Sequence, residues 1–132
     1  PLVWAVIPSL LFGAVHFANG AGVSVAYGLF YSVATGLIAL TCAVLVWRTG
    51  GISAAMGLHF ANNVGALGLV GAQGDMSSTQ LWVWEVESAV RSSPLELALL
   101  IVMLAFVLSP WGPFQNRSAK DAPSGTSPGS DR

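Results

Sequence analysis

The chain has 132 residues, of which 54% are hydrophobic and 8% charged, and its formal net charge is −1. A soluble domain carries about 25% charged residues, so a cytosolic globule, a disordered chain and a nucleic-acid binder are excluded. What remains is an all-α, multi-pass transmembrane helix bundle embedded in a lipid bilayer.

Four apolar segments follow in chain order, over about residues 2–18, 23–47, 52–72 and 94–108. A helix rises 1.5 Å per residue, so about 20 residues cross a 30 Å hydrocarbon layer. The second and third segments meet that length, the first is slightly short, and the fourth is the briefest. No strand is expected, because period-2 patterning is missing and an open sheet edge has no place in lipid. About four spans are therefore expected.

The joints carry turn chemistry. Asn19-Gly20-Ala21-Gly22 separates the first two segments, and Arg48-Thr49-Gly50-Gly51 forms a tight turn before the third. Ser93-Pro94-Leu95-Glu96 reads as a capping box with proline at the first helical position, starting the fourth. Ser109-Pro110 ends it. Residues 110–132, rich in Pro, Gly and Ser, are expected to be a disordered tail. The first residue is Pro1, with no Met or basic n-region, which does not read as a signal peptide and reads as a piece of a longer chain.

Alternating spans place Arg48 and the tail residues Arg117, Lys120 and Arg132 on one side. The positive-inside rule makes that side cytoplasmic. Trp4, Trp47 and Trp111 then fall at the cytoplasmic interface, and Trp82 and Trp84 at the other. The small residues Gly28, Ser32 and Gly36, and likewise Gly57, Ala61 and Gly65, recur every four positions. That spacing lets helices approach closely in lipid. Cys42 is the one cysteine, so no internal disulfide exists. Within its apolar run it reads as a small buried hydrophobe.

Two histidines occur, His16 and His59, both in apolar segments. Asn63 follows His59 by one helical turn and shares its face, opposite Gly57, Ala61 and Gly65. Measured along the helices from the Trp4 and Gly51 edge, His16 and Asn63 lie about 18 Å deep and His59 about 12 Å deep. Polar groups in hydrocarbon need partners, and three at one level point to a site. Asn62, turned about 100° from Asn63, reads as packing or helix–helix bonding. An imidazole can serve as base or metal ligand, and an amide N–H can stabilise an oxyanion. No acid lies within the first three segments. Glu85 and Glu87 read as solvated or interfacial and Glu96 as a helix cap.

The strings Phe12-Gly-Ala-Val-His16 and His59-Phe-Ala-Asn-Asn63, with Arg48-Thr-Gly-Gly51 between them, resemble the FxxxH and HxxxN motifs of the CPBP intramembrane proteases. This is the CAAX-protease and bacteriocin-processing, or Abi-like, family. The resemblance implies a membrane endopeptidase whose eukaryotic branch trims the last three residues from prenylated CAAX proteins. Its partners are a protein or peptide substrate and the bilayer of the cell membrane. His16, His59 and Asn63 would be catalytic: His16 works with a glutamate to activate water or hold a metal, and His59 and Asn63 complete the site and stabilise the oxyanion. A zinc ion, if used, would be held by His16 and His59; the resemblance leaves open whether glutamate-activated water suffices.

The family's EExxxR motif does not occur in this sequence. The expected organisation is therefore the C-terminal part of a CPBP-like core over residues 1–72, an extracytoplasmic loop over 73–93, a fourth span over 94–109 and a cytoplasmic tail over 110–132. The polypeptide by itself is expected to be inactive. The alternative reading is a non-catalytic membrane scaffold or bacteriocin self-immunity protein on the same fold.

Overall fold

A computed structural model describes residues 2–72, 79–112 and 114 of the chain. Helix α1 spans Leu2–Val15 and α2 spans Phe17–Ala21. The longest helix, α3, runs over Val25–Thr49. The next, α4, covers Ser53–Asn63 and continues as a π-helical turn over Val64–Leu69. Strand β1 (Val70–Ala72) pairs in parallel with β2 (Trp82–Trp84), and α5 spans Val86–Leu108. The fold is an all-α membrane bundle in which, among the described residues, three helical stretches are long and apolar enough to cross a bilayer: Val3–Ala21, Val25–Thr49 and Glu87–Leu108.

Helix α3 is the central post. Ser24 caps it by accepting from the Tyr27 N–H at 3.0 Å, satisfying one of the free donors of the first turn. Gly50 ends it at φ 70°, a left-handed conformation open to glycine, and its N–H returns to the Val46 carbonyl. The Arg48-Thr49-Gly50-Gly51 turn is thus built as its sequence implies, with the Thr49 hydroxyl donating to the Leu45 carbonyl at 2.8 Å.

Helices α1 and α2 pack antiparallel to α3. Gly20 lies beside Tyr27 and Gly28, and Gly13 lies beside Ser32 and Gly36, so close that a Cβ on Gly13 would run into the Ser32 carbonyl. The Gly28, Ser32 and Gly36 stripe is therefore a genuine packing seam. The Gly57, Ala61 and Gly65 stripe is not. Among the described residues, nothing lies within 4 Å of a Cβ placed on Gly57 or Gly65. Instead α4 turns its Ala54, Ala55 and Leu58 side to α3, where Ala55 joins Leu45 and Val107 in a buried cluster with Cys42 at its edge. The Cys42 thiol reaches the Ala55 carbonyl at 3.6 Å. Burying Leu45, Ala55 and Val107 outweighs close glycine contact in deciding how α4 rotates.

Three expectations change. First, the segment over 52–72 is not one regular helix. Its regular helix is 11 residues long and passes into a 6-residue π turn before leaving the helical path. Gly65 and Gly68 weaken the helix there. The chain returns to satisfy the carbonyls left free: Thr79 Oγ1 donates to Leu67 O at 2.9 Å and Gln80 Nε2 to Ala66 O at 2.9 Å. Second, the strands follow from that return. Leu81 N–H donates to the Gly68 carbonyl at 3.1 Å, and the register continues as Val70↔Trp82, Gly71↔Val83 and Ala72↔Trp84.

Third, α5 begins at Val86, not at Pro94, and Ser93 is no cap. Pro94 lies inside the helix, while the Ser92 and Ser93 hydroxyls both turn back to the Ala89 carbonyl at 3.0 Å. Serine hydroxyls commonly supply such bonds beside a proline in membrane helices. Glu96 is accordingly a mid-helix residue rather than a cap. The helix ends at Leu108, as Ser109-Pro110 implies. The expected loop loses residues 86–93 to α5, and its residues 73–78 lie outside the described ones, as does the expected disordered tail beyond residue 114.

Candidate active site

The first break in the helical path falls at His16, earlier than Asn19. Here the backbone leaves α1 in a tight turn, with His16 N–H donating to the Gly13 carbonyl at 3.1 Å, before α2 resumes at Phe17. Asn19 and Gly20 stay helical in α2. The imidazole folds back one turn, and its Nδ1 donates to the Phe12 carbonyl at 2.7 Å. A carbonyl can only accept, so this bond places the proton of a neutral ring on Nδ1 and leaves the lone pair of Nε2 free. The Phe12 and His16 rings lie 4.3 Å apart between centroids, which fixes the plane of the imidazole.

The second imidazole comes from α4. His59 and Asn63 are one helical turn apart, and Asn63 Nδ2 meets His59 Nε2 at 3.2 Å. With the amide N–H donating, Nε2 accepts and the ring proton resides on Nδ1. The amide keeps a second N–H for another acceptor. His59 is exposed and Asn63 half-buried.

Phe12 links the two. Its ring lies edge-on to His59, with centroids 6.5 Å apart and planes at 71°. The structure thus brings the His16 and His59 rings to one phenylalanine, with Asn63 bonded to His59. In the sequence Phe12 marks only the start of the FxxxH string; its position one turn before His16 is the signal that the two rings stack. Asn62, on the other side of α4, is half-buried and makes no side-chain hydrogen bond among the described residues.

Beside Phe17 a mostly apolar cleft of about 600 Å³ runs between α1 and α3, lined among others by Leu10, Gly13, Leu29, Val33 and Gly36. Its two serines, Ser9 and Ser32, spend their hydroxyls on the Ala5 and Gly28 carbonyls of their own helices. The cleft therefore presents hydrocarbon rather than hydrogen-bond donors.

Zinc is not accommodated by these residues alone. A catalytic zinc takes three protein ligands as a rule, and among the described residues no three His, Cys, Asp or Glu side chains gather in one place. Of the described acids, Glu87 pairs with Arg91 at 3.1 Å on the exposed start of α5. What the arrangement offers is one imidazole with a free lone pair, a second held by an amide, and a spare amide N–H.

Residues 1–65 match the sequence model of the family described as Type II CAAX prenyl endopeptidase Rce1-like. The matched region contains α1, α2, α3, His59 and Asn63. Comparisons with curated proteins and with solved structures found no match. Residues 1–65 of this membrane chain are thus similar to the Rce1-like CAAX prenyl endopeptidases, a family of the CPBP membrane proteases, in support of the resemblance carried by the FxxxH and HxxxN strings.

Proposed function

We propose that this protein serves in the hydrolysis of a peptide bond near the C-terminus of a lipid-modified protein, with His16, His59 and Asn63 as the residues that carry it. The observation that carries this reading is the Phe12 ring lying against both the His16 and His59 imidazoles, with Asn63 Nδ2 3.2 Å from His59 Nε2. It lies inside the segment that matches the endopeptidase family.

In this reading the free Nε2 of His16 accepts a hydrogen bond from the attacking water. The spare N–H of Asn63 donates to the oxygen of the scissile carbonyl as it gains negative charge, the contribution that a preorganised donor makes in a dry site. The proton leaves the water to a carboxylate. The EExxxR carboxylates of the resemblance are not in this sequence, so that group is supplied by residues other than the His16, His59 and Asn63 set. A metal would need the same outside group as its third ligand, and no step here depends on one. The apolar cleft between α1 and α3 suits the hydrocarbon chain of a lipidated substrate. The Arg48 end faces the cytoplasm by the positive-inside rule.

The test is release of the C-terminal tripeptide from a farnesylated CAAX peptide by the full chain in vesicles, with and without a membrane-spanning helix that carries EExxxR. Cleavage is expected only with that helix, and His59→Ala is expected to abolish it. Cleavage that His59→Ala leaves unchanged, or none under any of these conditions, overturns the proposal.

A further inference from the structure

The two halves of the segment over 52–72 are held in different ways. The first is anchored by packing, because Ala54, Ala55 and Leu58 join the cluster of Leu45 and Val107. Beyond Asn63 the packing ends, and no residue of the π turn Val64–Leu69 is buried. That turn is held by the chain that returns to it. Gln80 Nε2 donates to the Ala66 carbonyl, Thr79 Oγ1 to that of Leu67 and the Leu81 N–H to that of Gly68. Consecutive carbonyls thus take their donors from the short stretch 79–81.

The same carbonyls have a second set of donors close by. In a regular α-helix the N–H of residue i bonds the carbonyl of residue i−4. The helical partners of Ala66, Leu67 and Gly68 are then Val70, Gly71 and Ala72, which make up the whole of β1. Here the Val70 N–H turns instead to the Gly65 carbonyl, and β1 pairs with β2.

Holding the turn has a steric condition and a cost. The Gln80 amide lies so close to Gly71 that any side chain there would collide with it. Its Oε1 is buried without a hydrogen-bond partner among the described residues, and an unmet buried acceptor is destabilising. Length weighs on the other side. Residues 53–69 reach about 25 Å at the rise of a helix, whereas residues 52–72 as one helix reach about 31 Å. That run contains no charged residue. Bilayer hydrocarbon is about 30 Å thick and differs by a few Å between membranes.

We propose that residues 79–81 are a releasable strap that responds to bilayer thickness. In a thin bilayer they hold the π turn. In a thick one they let go, and residues 52–72 run as one membrane-spanning helix. Val70, Gly71 and Ala72 then supply the N–H groups that Gln80, Thr79 and Leu81 withdraw. Every exchanged carbonyl keeps a donor, and the Gln80 amide returns to water. Strand β2 is exposed along its length, so its released backbone groups are hydrated. His59 and Asn63 precede the exchanged bonds, so the inference does not rest on the hydrolytic reading.

Valine precedes glycine at two places in the sequence, Val64-Gly65 and Val70-Gly71. Isotopic labelling of valine carbonyl carbons and glycine nitrogens therefore isolates the Val64 and Val70 carbonyls in solid-state NMR of the full chain. Spectra are compared in dimyristoleoyl- and dierucoyl-phosphatidylcholine bilayers, the second being the thicker. Val64 is expected to show a helical shift in both. Val70 is expected to move from a strand shift in the thin bilayer to a helical shift in the thick one. Thr79→Val combined with Gln80→Leu removes both side-chain donors and is expected to make Val70 helical in both bilayers. A Val70 shift that is the same in the two bilayers for the unmodified chain, which needs no variant to fold, overturns the proposal. So does a strand shift of Val70 that persists in the double variant while Val64 stays helical.

Discussion

Arg48 and Val107 lie 59 positions apart in sequence, yet the Arg48 guanidinium donates to the Val107 carbonyl at 2.8 Å. The contact fastens the turn after α3 to the last turn of α5, where four carbonyls lack helical partners and a cation is favoured by the helix dipole. Val107 itself is 4% exposed, so the bond sits at the edge of the one hydrophobic cluster shared by α3, α4 and α5.

Removing that guanidinium should therefore loosen α5 before it affects α1. Arg48→Ala is expected to destabilise the bundle by about 2 kcal/mol, the range for a hydrogen bond to a charged group. Arg48→Lys should be milder, because a point charge reaches the carbonyl without the planar fork. Thermal unfolding in detergent, read with a label on α5, checks the order. A melting temperature unchanged in Arg48→Ala would mean that the contact contributes nothing.

The two glycine stripes should respond in opposite ways. Gly13→Ala pushes a methyl group into the Ser32 carbonyl, and separating α1 from α3 is expected to lower stability by about 2 kcal/mol, as overpacking does. Gly57→Ala meets open space and removes the flexibility of a helical glycine, so it should raise stability by up to about 1 kcal/mol. Paired melting curves of the two variants decide it. Equal losses would show that a further helix occupies the Gly57 face.

Phe12 should matter to both imidazoles at once. Phe12→Leu retains apolar volume and the backbone carbonyl that His16 uses, but removes the ring that faces both histidines. The ring-current shifts of the His16 and His59 imidazole protons are expected to collapse together in the NMR spectrum of histidine-labelled protein. If the His59 signal stays put, the second contact is without consequence.

Asn63 carries the sharper chemical expectation. Asn63→Leu removes both the donor to His59 Nε2 and the spare N–H. Turnover of a lipidated peptide by the complemented site is expected to fall about 10²- to 10³-fold, as for loss of one oxyanion donor. The loss should appear in kcat rather than KM, because the interaction belongs to the transition state. An effect confined to KM would make Asn63 a binding residue instead.

The amino-acid sequence by itself determined the membrane class, the helical architecture, the turn at Arg48-Thr49-Gly50-Gly51 and the end of α5. These depend on composition, on the length of apolar runs and on local turn chemistry, all of which act within a few residues. The pairing of His59 with Asn63 was legible for the same reason, since one helical turn separates them.

Only the tertiary structure decided the rest. Which glycine stripe packs depended on how α4 rotates to bury Ala55 against Leu45 and Val107, a contact between residues remote in sequence. The shortening of the 52–72 segment depended on Thr79 and Gln80 coming back to take carbonyls of the π turn. The helix through Pro94 depended on hydroxyls of Ser92 and Ser93 turning inward to Ala89, where the same letters also spell a cap. The convergence of His16 and His59 on Phe12 required α1 and α4 to meet across the bundle. Local patterns fix which conformations are cheap; the burial of distant side chains selects among them.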